Sequence, residues 1–427
     1  MRFDFTPEQQ SFRSELRAFL DEELPSGWTG PADEADDVHW ALSMRIRRKL
    51  AQRGWLTMSW PREYGGSGAH PTMSLIFAEE MAYRRAPGND RFGTRMIGPT
   101  LIAFGSAEQK AAHLPGIARG EVQWCQGYSE PDAGSDLASL TTRADADSGF
   151  YVINGTKVWT SLAHRANWMF MLARTGTPDQ RHRGISMFLV NMSTPGVTVR
   201  PLINMAGSHS FNQVIFDNVR VPAENMVGAE NDGWRVGTAL LNFERANIDY
   251  IAWAQRTLDE LKDYAVSARA RGGGGEFVRP EPVEGAVQGT ARRAPTTLAH
   301  APDVRRRLAE FEAEIDQARL VTYEAVWRQG RGESPVAESS MSKLLGSDVN
   351  LRLHEYGVEM LGMHGQLVPG QSPPLPLGEG QGEGEALRLA ARILKLRMFY
   401  TSGPILAGTN EIQRNIIAQR GLGLPRE

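Results

Sequence analysis

The chain has 427 residues, 41% of them apolar, and a formal net charge of −3. That balance fits a substantial buried core spread over roughly three domains, and no field of one sign favours nucleic acid or an anionic membrane as a partner. The single cysteine, Cys125, allows no intrachain disulfide and fits a reducing compartment; with no secretory apolar core at the N-terminus and no apolar run long enough for a bilayer, the expected location is cytoplasmic, without membrane insertion.

The first part reads helical. Thr6 suits an N-cap, Pro7 the first helical position, and Phe12, Leu16, Phe19 and Leu20 form an apolar stripe at helical spacing. Further helical patterns cover 38–53, 73–84 and 94–103, with the punctuation Trp60-Pro61-Arg62-Glu63-Tyr64-Gly65-Gly66 between them. The charged clusters Arg45–Lys49 and Arg305–Arg307 read as solvated helix faces. Near Val122 the pattern turns to strands. Phe150–Ile153, Asn154-Gly155 and Thr156–Thr160 predict a hairpin with a type I′ turn. Runs at 168–174, 185–192, 196–202 and 214–221 continue it into a small β-sandwich or barrel. From Trp234 the period is helical again. Leu240, Phe243, Asn247, Ile251, Ala254, Leu258 and Leu261 mark one long helix, and 304–326, 338–361 and 385–399 are three more. The expected fold is α+β in three parts: an N-terminal α-helical domain over 1–121, a middle β domain over 122–232 and a C-terminal four-helix bundle over 233–427. Two stretches, 272–300 and 366–385, have the Gly- and Pro-rich composition of flexible insertions. Neither carries the Gly-Lys-Ser/Thr of a phosphate loop.

Four motifs open the question of chemistry. The segment Gly127-Tyr128-Ser129-Glu130-Pro131-Asp132-Ala133-Gly134-Ser135-Asp136 suits a loop whose backbone approaches a ligand closely, though alone it could be a surface turn. Lys157-Val158-Trp159-Thr160-Ser161 and Phe216-Asp217-Asn218-Val219-Arg220-Val221-Pro222 follow it. Near the C-terminus, Gly403-Pro404-Ile405-Leu406-Ala407-Gly408-Thr409-Asn410-Glu411-Ile412-Gln413-Arg414 reads as a small-residue turn opening a helix. In this order and spacing, with Phe104-Gly105-Ser106, these segments resemble the acyl-CoA dehydrogenases, FAD enzymes that desaturate acyl thioesters. The likeness spans nearly the whole chain outside the two insertions.

The resemblance implies specific roles. Trp159 matches the tryptophan beside the flavin ring, or is otherwise a core tryptophan; Ser161 matches the hydroxyl reaching the reactive N5, with Thr160 between them. Tyr128 and Ser129 match contacts to the pyrimidine edge, and Gly134 and Ser135 contacts at the flavin–pantetheine boundary, Ser135 also on the substrate side. Thr409, Asn410 and Glu411 match contacts to the dinucleotide part of FAD, and exposed N–H groups at a helix start suit such a ligand; a plain N-cap is the alternative for Asn410.

Desaturation also needs a carboxylate to take the α-proton. The family's commonest base precedes Gly408, where this chain has Ala407. One branch carries the base on the long C-terminal-domain helix, immediately before an arginine, and Glu244-Arg245 matches that place. Glu244 lies four residues after Leu240 and four before Ile248, close to the apolar stripe. Desolvation there would raise its pKa toward that of a useful base, whereas the bland alternative is a salt bridge. Arg245 matches an arginine near the substrate, and the N–H of Ala407 together with Gly408 a thioester-holding turn. The usual Arg-x-x-Phe-Gly segment, which reaches FAD in a neighbouring subunit, has no counterpart before Pro302-Asp303-Val304-Arg305; in this the chain resembles bacterial subunits of heteromeric dehydrogenases. The expected partners are an acyl-CoA, an electron-transfer flavoprotein, and copies of the chain (dimer or tetramer) or a second dehydrogenase subunit. A flavin oxidase or monooxygenase of the same fold, or a non-catalytic subunit, are the alternatives. The nine histidines show no paired metal spacing, and no metal is expected.

Overall fold

The computed structural model describes residues 4–30, 36–244, 248–268, 297–366 and 381–425. Chain contacts divide it into two compact units, one of residues 1–246 with 325–339, the other of residues 247–324 with 340–427.

The first unit begins with helices α1 (Pro7–Glu23), α2 (Asp37–Gln52), α3 (Pro71–Tyr83), α4 (Gly98–Phe104) and α5 (Ala107–Ala118). Thr6 caps α1 in a capping box with Gln9, as its sequence predicts. The α1 stripe meets Ile46, Leu50, Ile76, Phe77 and Met81 in one apolar cluster, and Arg17 reaches Glu80 by two bonds of 2.8 Å. The helix expected over 94–103 departs from regularity. Residues Arg91–Ile97 form a π-helical turn before α4. Pro99 has no N–H and would crowd the carbonyl four residues back, and the wider π turn accommodates it.

A sheet of eight strands follows: β1 (Trp124–Gly127), β2 (Arg143–Asp147), β3 (Phe150–Ser161), β4 (Trp168–Arg174), β5 (Ile185–Asn191), β6 (Val197–Ile203), β7 (His209–Pro222) and β8 (Met226–Val227). Its order is β6-β7-β3-β2-β4-β5-β8, with β1 parallel to β4. Continuous apolar runs in β4 and β5 have a direct cause: both faces are buried. Met169, Met171 and Ala173 join Val214, Phe216 and Phe188 in a core within the sheet. Phe170, Leu172, Met187 and Leu189 face the other way, into a cluster with Met96, Leu101, Val236 and Leu240.

The predicted hairpin at Asn154-Gly155 is not a turn. β3 runs straight through it, with a register shift between Ile153 and Gly155. The turn lies six residues earlier, where Ser148 and Gly149 have φ of 48° and 83° and join β2 to β3. Gly155 is needed for another reason: a Cβ there would lie 2.5 Å from Thr142 Oγ1.

The single long helix expected from Leu240 to Leu261 is described as α6 (Gly233–Glu244) and α7 (Ile248–Ser267); residues 245–247 lie outside the described residues. α6 lies tight on the sheet. A Cβ on Gly233 would meet the Ser186 carbonyl carbon at 2.3 Å, and one on Gly237 would come within 3.1 Å of Tyr128 Oη.

The second unit is helical among the described residues. α7, α8 (Pro302–Gly330), α9 (Val336–Leu361) and α10 (Gln381–Tyr400) bury Leu258 and Leu261, Phe311 and Ile315, Leu353 and Leu361, and Ala390 and Ile393. Gly357 lets α9 approach Leu261 and Ile393. The chain ends in α11 (Asn410–Ile416) and a π-helical turn. Of the two compositional insertions, 272–296 and 367–380 lie outside the described residues. Their inner edges are shorter than composition suggests. Leu298 is buried and donates to the Ala268 carbonyl at 2.9 Å, and α10 already begins at Gln381.

Candidate active site

β3 carries the sharpest local feature. Its pairing with β7 slips between Lys157 and Thr160, and in that bulge Trp159 has a left-handed φ of 60°. A bulky residue in this conformation costs about 1–3 kcal/mol and persists only where its surroundings hold it. The bulge turns the indole outward, so Trp159 is 62% exposed, with Phe211 edge-on at 6.1 Å. Next to it, Thr160 is buried, and its Oγ1 has no hydrogen-bond partner among the described residues. Asn212, fully buried, donates to the Thr160 carbonyl at 3.0 Å. Ser161 closes the strand, half-buried, opposite Phe211.

The Tyr128–Asp136 loop lies against this bulge. Val158 N donates to the Ser129 carbonyl at 2.9 Å. Tyr128 is buried, with Phe170 edge-on at 6.1 Å. The loop turns back on itself through mutual backbone bonds between Glu130 and Ala133. Its tip, Gly134–Asp136, is exposed, and Asp136 meets Arg181 at 2.9 Å. Beneath the tip lies charge that motif reading passed over. Lys157, 0% exposed, donates to Glu130 at 2.7 Å and to the Tyr128 carbonyl at 3.1 Å. Glu130 also accepts from Thr141 N and Oγ1 at 2.7 and 2.8 Å and from Thr142 N at 3.0 Å. Burial pushes the Glu130 carboxyl up, but the Lys157 ammonium and these donors outweigh it and bring it down to about 2. Burial pulls Lys157 below its ordinary value against the attraction of Glu130. Buried Arg174 completes the loop's support through the Ala138 and Leu140 carbonyls at 2.7 and 2.9 Å. Lys157 was detectable in the sequence: it shares the parity of Tyr151 and Ile153, the inward side of β3, and a lysine there demands a buried acid.

The second unit holds the other predicted cluster. Ala407 and Gly408 are both left-handed, with φ of 55° and 83°. Gln413 Nε2 donates to their carbonyls at 3.3 and 3.2 Å, which fixes this exposed turn. Thr409, not Asn410, is the cap of α11, accepting from Ile412 N. Asn410 is buried and committed to the chain. Its Oδ1 accepts from Lys343 Nζ at 2.9 Å and Ser347 Oγ at 3.0 Å, and its Nδ2 donates to Asp348 at 2.7 Å. Lys343 also holds the Gly403 carbonyl at 3.1 Å. What the Asn410 side chain does here is anchor the turn. Glu411 is exposed, 3.4 Å from Arg414.

Tyr128, Ser129, Trp159, Thr160 and Ser161 are thus brought together, with Gly134 and Ser135 at the tip of the same loop, while 407–411 form one turn of the other unit. Glu244 is the last residue of α6, on the i, i+4 row of buried Val236 and Leu240; its side chain and Arg245 lie outside the described residues. Among the described residues no group of three or more His, Cys, Asp or Glu could hold a metal ion, and no helix is long and apolar enough to cross a membrane. The β3 site fits a flat aromatic cofactor: a strained, outward indole, an orphaned buried hydroxyl beside it, and a loop pinned from below.

Known proteins match the chain over nearly all of its length. Residues 6–121, 125–219 and 282–422 match the acyl-CoA dehydrogenase N-terminal, middle and C-terminal domains. The chain is 37% identical to the acyl-CoA dehydrogenase IpdE1 of Mycobacterium tuberculosis, covering 98% of each. Among solved structures it is similar to the ChsE4–ChsE5 complex from Mycobacterium tuberculosis (30% identity, TM-score 0.83, all of both chains). It is also similar to the Tcur3481–Tcur3483 steroid ACAD (29% identity, TM-score 0.81, all of both chains). With all three of its domains matched in order, the chain belongs to the acyl-CoA dehydrogenase family, oxidoreductases acting on CH–CH groups.

Proposed function

We propose that this acyl-CoA dehydrogenase binds FAD and desaturates the α,β bond of a bulky, ring-bearing acyl-CoA, giving the trans-2-enoyl-CoA. The observation that carries the reading is the Trp159 bulge, a strained strand position whose one evident product is an exposed indole face beside Thr160 and Ser161. When bound, FAD supplies the acceptor for the β-hydride. The chain supplies the rest. Trp159 would wall the ring, the Ser161 hydroxyl would donate at its edge, and the pinned 128–136 loop would present backbone to it. Glu244 takes the α-proton, since Ala407 has no carboxylate. The left-handed Ala407-Gly408 turn leaves the Ala407 N–H to hold the thioester carbonyl as charge develops on it. An electron-transfer flavoprotein would be the oxidant that completes each turnover.

The ring-bearing substrate and a two-chain assembly are supported by the relatives. Two solved structures at about this identity are named as pairs, one of them as a steroid dehydrogenase. The test is anaerobic bleaching of the purified yellow protein with a panel of straight-chain, branched and steroid side-chain acyl-CoAs. Rapid bleaching by the steroid thioester and slow bleaching by straight chains supports the reading. Equal bleaching by all overturns the substrate class. Peroxide release on readmitting air, at the rate of turnover, assigns an oxidase instead.

A further inference from the structure

We infer that the buried Lys157–Glu130 pair is a positioning latch, fixing the Tyr128–Ser129 backbone against the Trp159 bulge and so setting where the flavin ring sits. The inference rests on the FAD reading above and adds residues that touch neither ring nor substrate.

The geometry is specific. Lys157 lies two residues before Trp159 on the same strand, and its ammonium is wholly buried. One donor goes to the Tyr128 carbonyl at 3.1 Å and one to Glu130 at 2.7 Å. Val158 N adds a bond to the Ser129 carbonyl at 2.9 Å. Three successive loop positions, Tyr128, Ser129 and Glu130, are therefore tied to the two residues ahead of the indole. Glu130 then carries the tie across the loop. Its oxygens take Thr141 N, Thr141 Oγ1 and Thr142 N, where the chain enters β2. Arg174 holds the intervening carbonyls of Ala138 and Leu140. The tip at 134–136 is left exposed.

A buried ion pair is a weak source of stability, because desolvation consumes much of the attraction. Its value lies in geometry. Here it joins the two segments that would contact the ring, and one of them is strained at Trp159. A neutral pair of similar volume should leave a folded protein whose two ring-contacting segments are no longer held in one relation.

The test is the full-length double variant Lys157→Met/Glu130→Gln, in whatever assembly the wild type purifies. The glutamine keeps one acceptor oxygen, enough for Thr141 N and Oγ1 but not for Thr142 N as well, and the charges of the pair are removed together. Three readouts are taken: the melting curve of the apoprotein, the FAD dissociation constant, and the absorbance spectrum and midpoint potential of the bound flavin. The expected result is a cooperative melt near that of wild type, FAD binding weakened at least tenfold, and a changed flavin spectrum and potential. FAD affinity within twofold of wild type with an unchanged spectrum overturns the latch. So does a double variant that cannot fold, since the pair is then merely structural. A wild-type protein that takes up no FAD, alone or with a partner dehydrogenase subunit, overturns the FAD reading itself, and is seen before any variant is made.

Discussion

Glu244 is the residue on which the proposed chemistry turns. Ala407 has no carboxylate, and the i, i+4 row of Val236 and Leu240 ends at Glu244 in α6. Positioned bases contribute about 10²–10⁴-fold to rate. Glu244→Gln keeps shape and hydrogen-bonding capacity, so folding, flavin content and acyl-CoA binding should persist. Stopped-flow reduction of the flavin should slow by about 10²-fold or more, and adding Ala407→Glu to that variant should restore part of the rate. Reduction at the wild-type rate would place the base elsewhere. A second prediction concerns Glu130. Its carboxyl is lowered from an ordinary 4.5 to about 2, so the unfolded chain binds its proton first on acidification. The stability it contributes is complete above about pH 4.5 and is lost as pH falls toward about pH 2. Urea midpoints measured across that window should fall more steeply for wild type than for Lys157→Met/Glu130→Gln. Equal slopes would mean that the pair does not carry the acid sensitivity.

At the scale of elements, glycines at crossings decide what can pack. Gly98 opens α4, and a Cβ there would lie 2.0 Å from Trp60 Cζ2. That indole cannot swing away, because it is buried and its Nε1 donates to the Thr94 carbonyl at 3.0 Å. Gly98→Ala should therefore cost about 1–3 kcal/mol by overpacking, read as a lower melting temperature with the fold retained by circular dichroism. A neutral change would show that the π turn before α4 can shift to make room. The same elements show what was legible in the sequence. Helices with a clear stripe, such as α1, and strands with continuous apolar runs, such as β4 and β5, were readable because burial dictates their composition. β2 was not: Arg143-Ala144-Asp145-Ala146-Asp147 carries little apolar signal and is held by pairing to β3. Asn154-Gly155 misled for a related reason, since the same freedom at positive φ serves a bulge as well as a turn. In the site, Trp159 and the loop were readable as motifs. Its support by Lys157, Arg174 and Asn212 depends on partners far along the chain, which no local pattern displays.

For the molecule as a whole, each compact unit contains a buried lysine that organises one candidate cofactor segment. Lys157 does so for the β3 loop, and Lys343 for the 403–410 turn through Gly403 and Asn410. Both segments end in exposed surface: the Trp159 indole in one, Ala407, Gly408 and Glu411 in the other. Within one chain these supports are complete. What this sequence does not offer is the Arg-x-x-Phe-Gly segment by which most of the family reaches FAD held in a neighbouring subunit. A ring of identical chains would then lack that contribution at every site, whereas a partner dehydrogenase chain that carries it could complete sites made with this one. The expected outcome is that co-expression with a dehydrogenase chain that carries the segment yields a stable mixed assembly, with fewer flavins than chains. The chain expressed alone should retain FAD at least tenfold less tightly. Native mass spectrometry with flavin quantitation checks both at once. One FAD per chain, tightly held in an assembly of this chain only, would show that the missing segment is replaced from within, and the two-chain reading would fall.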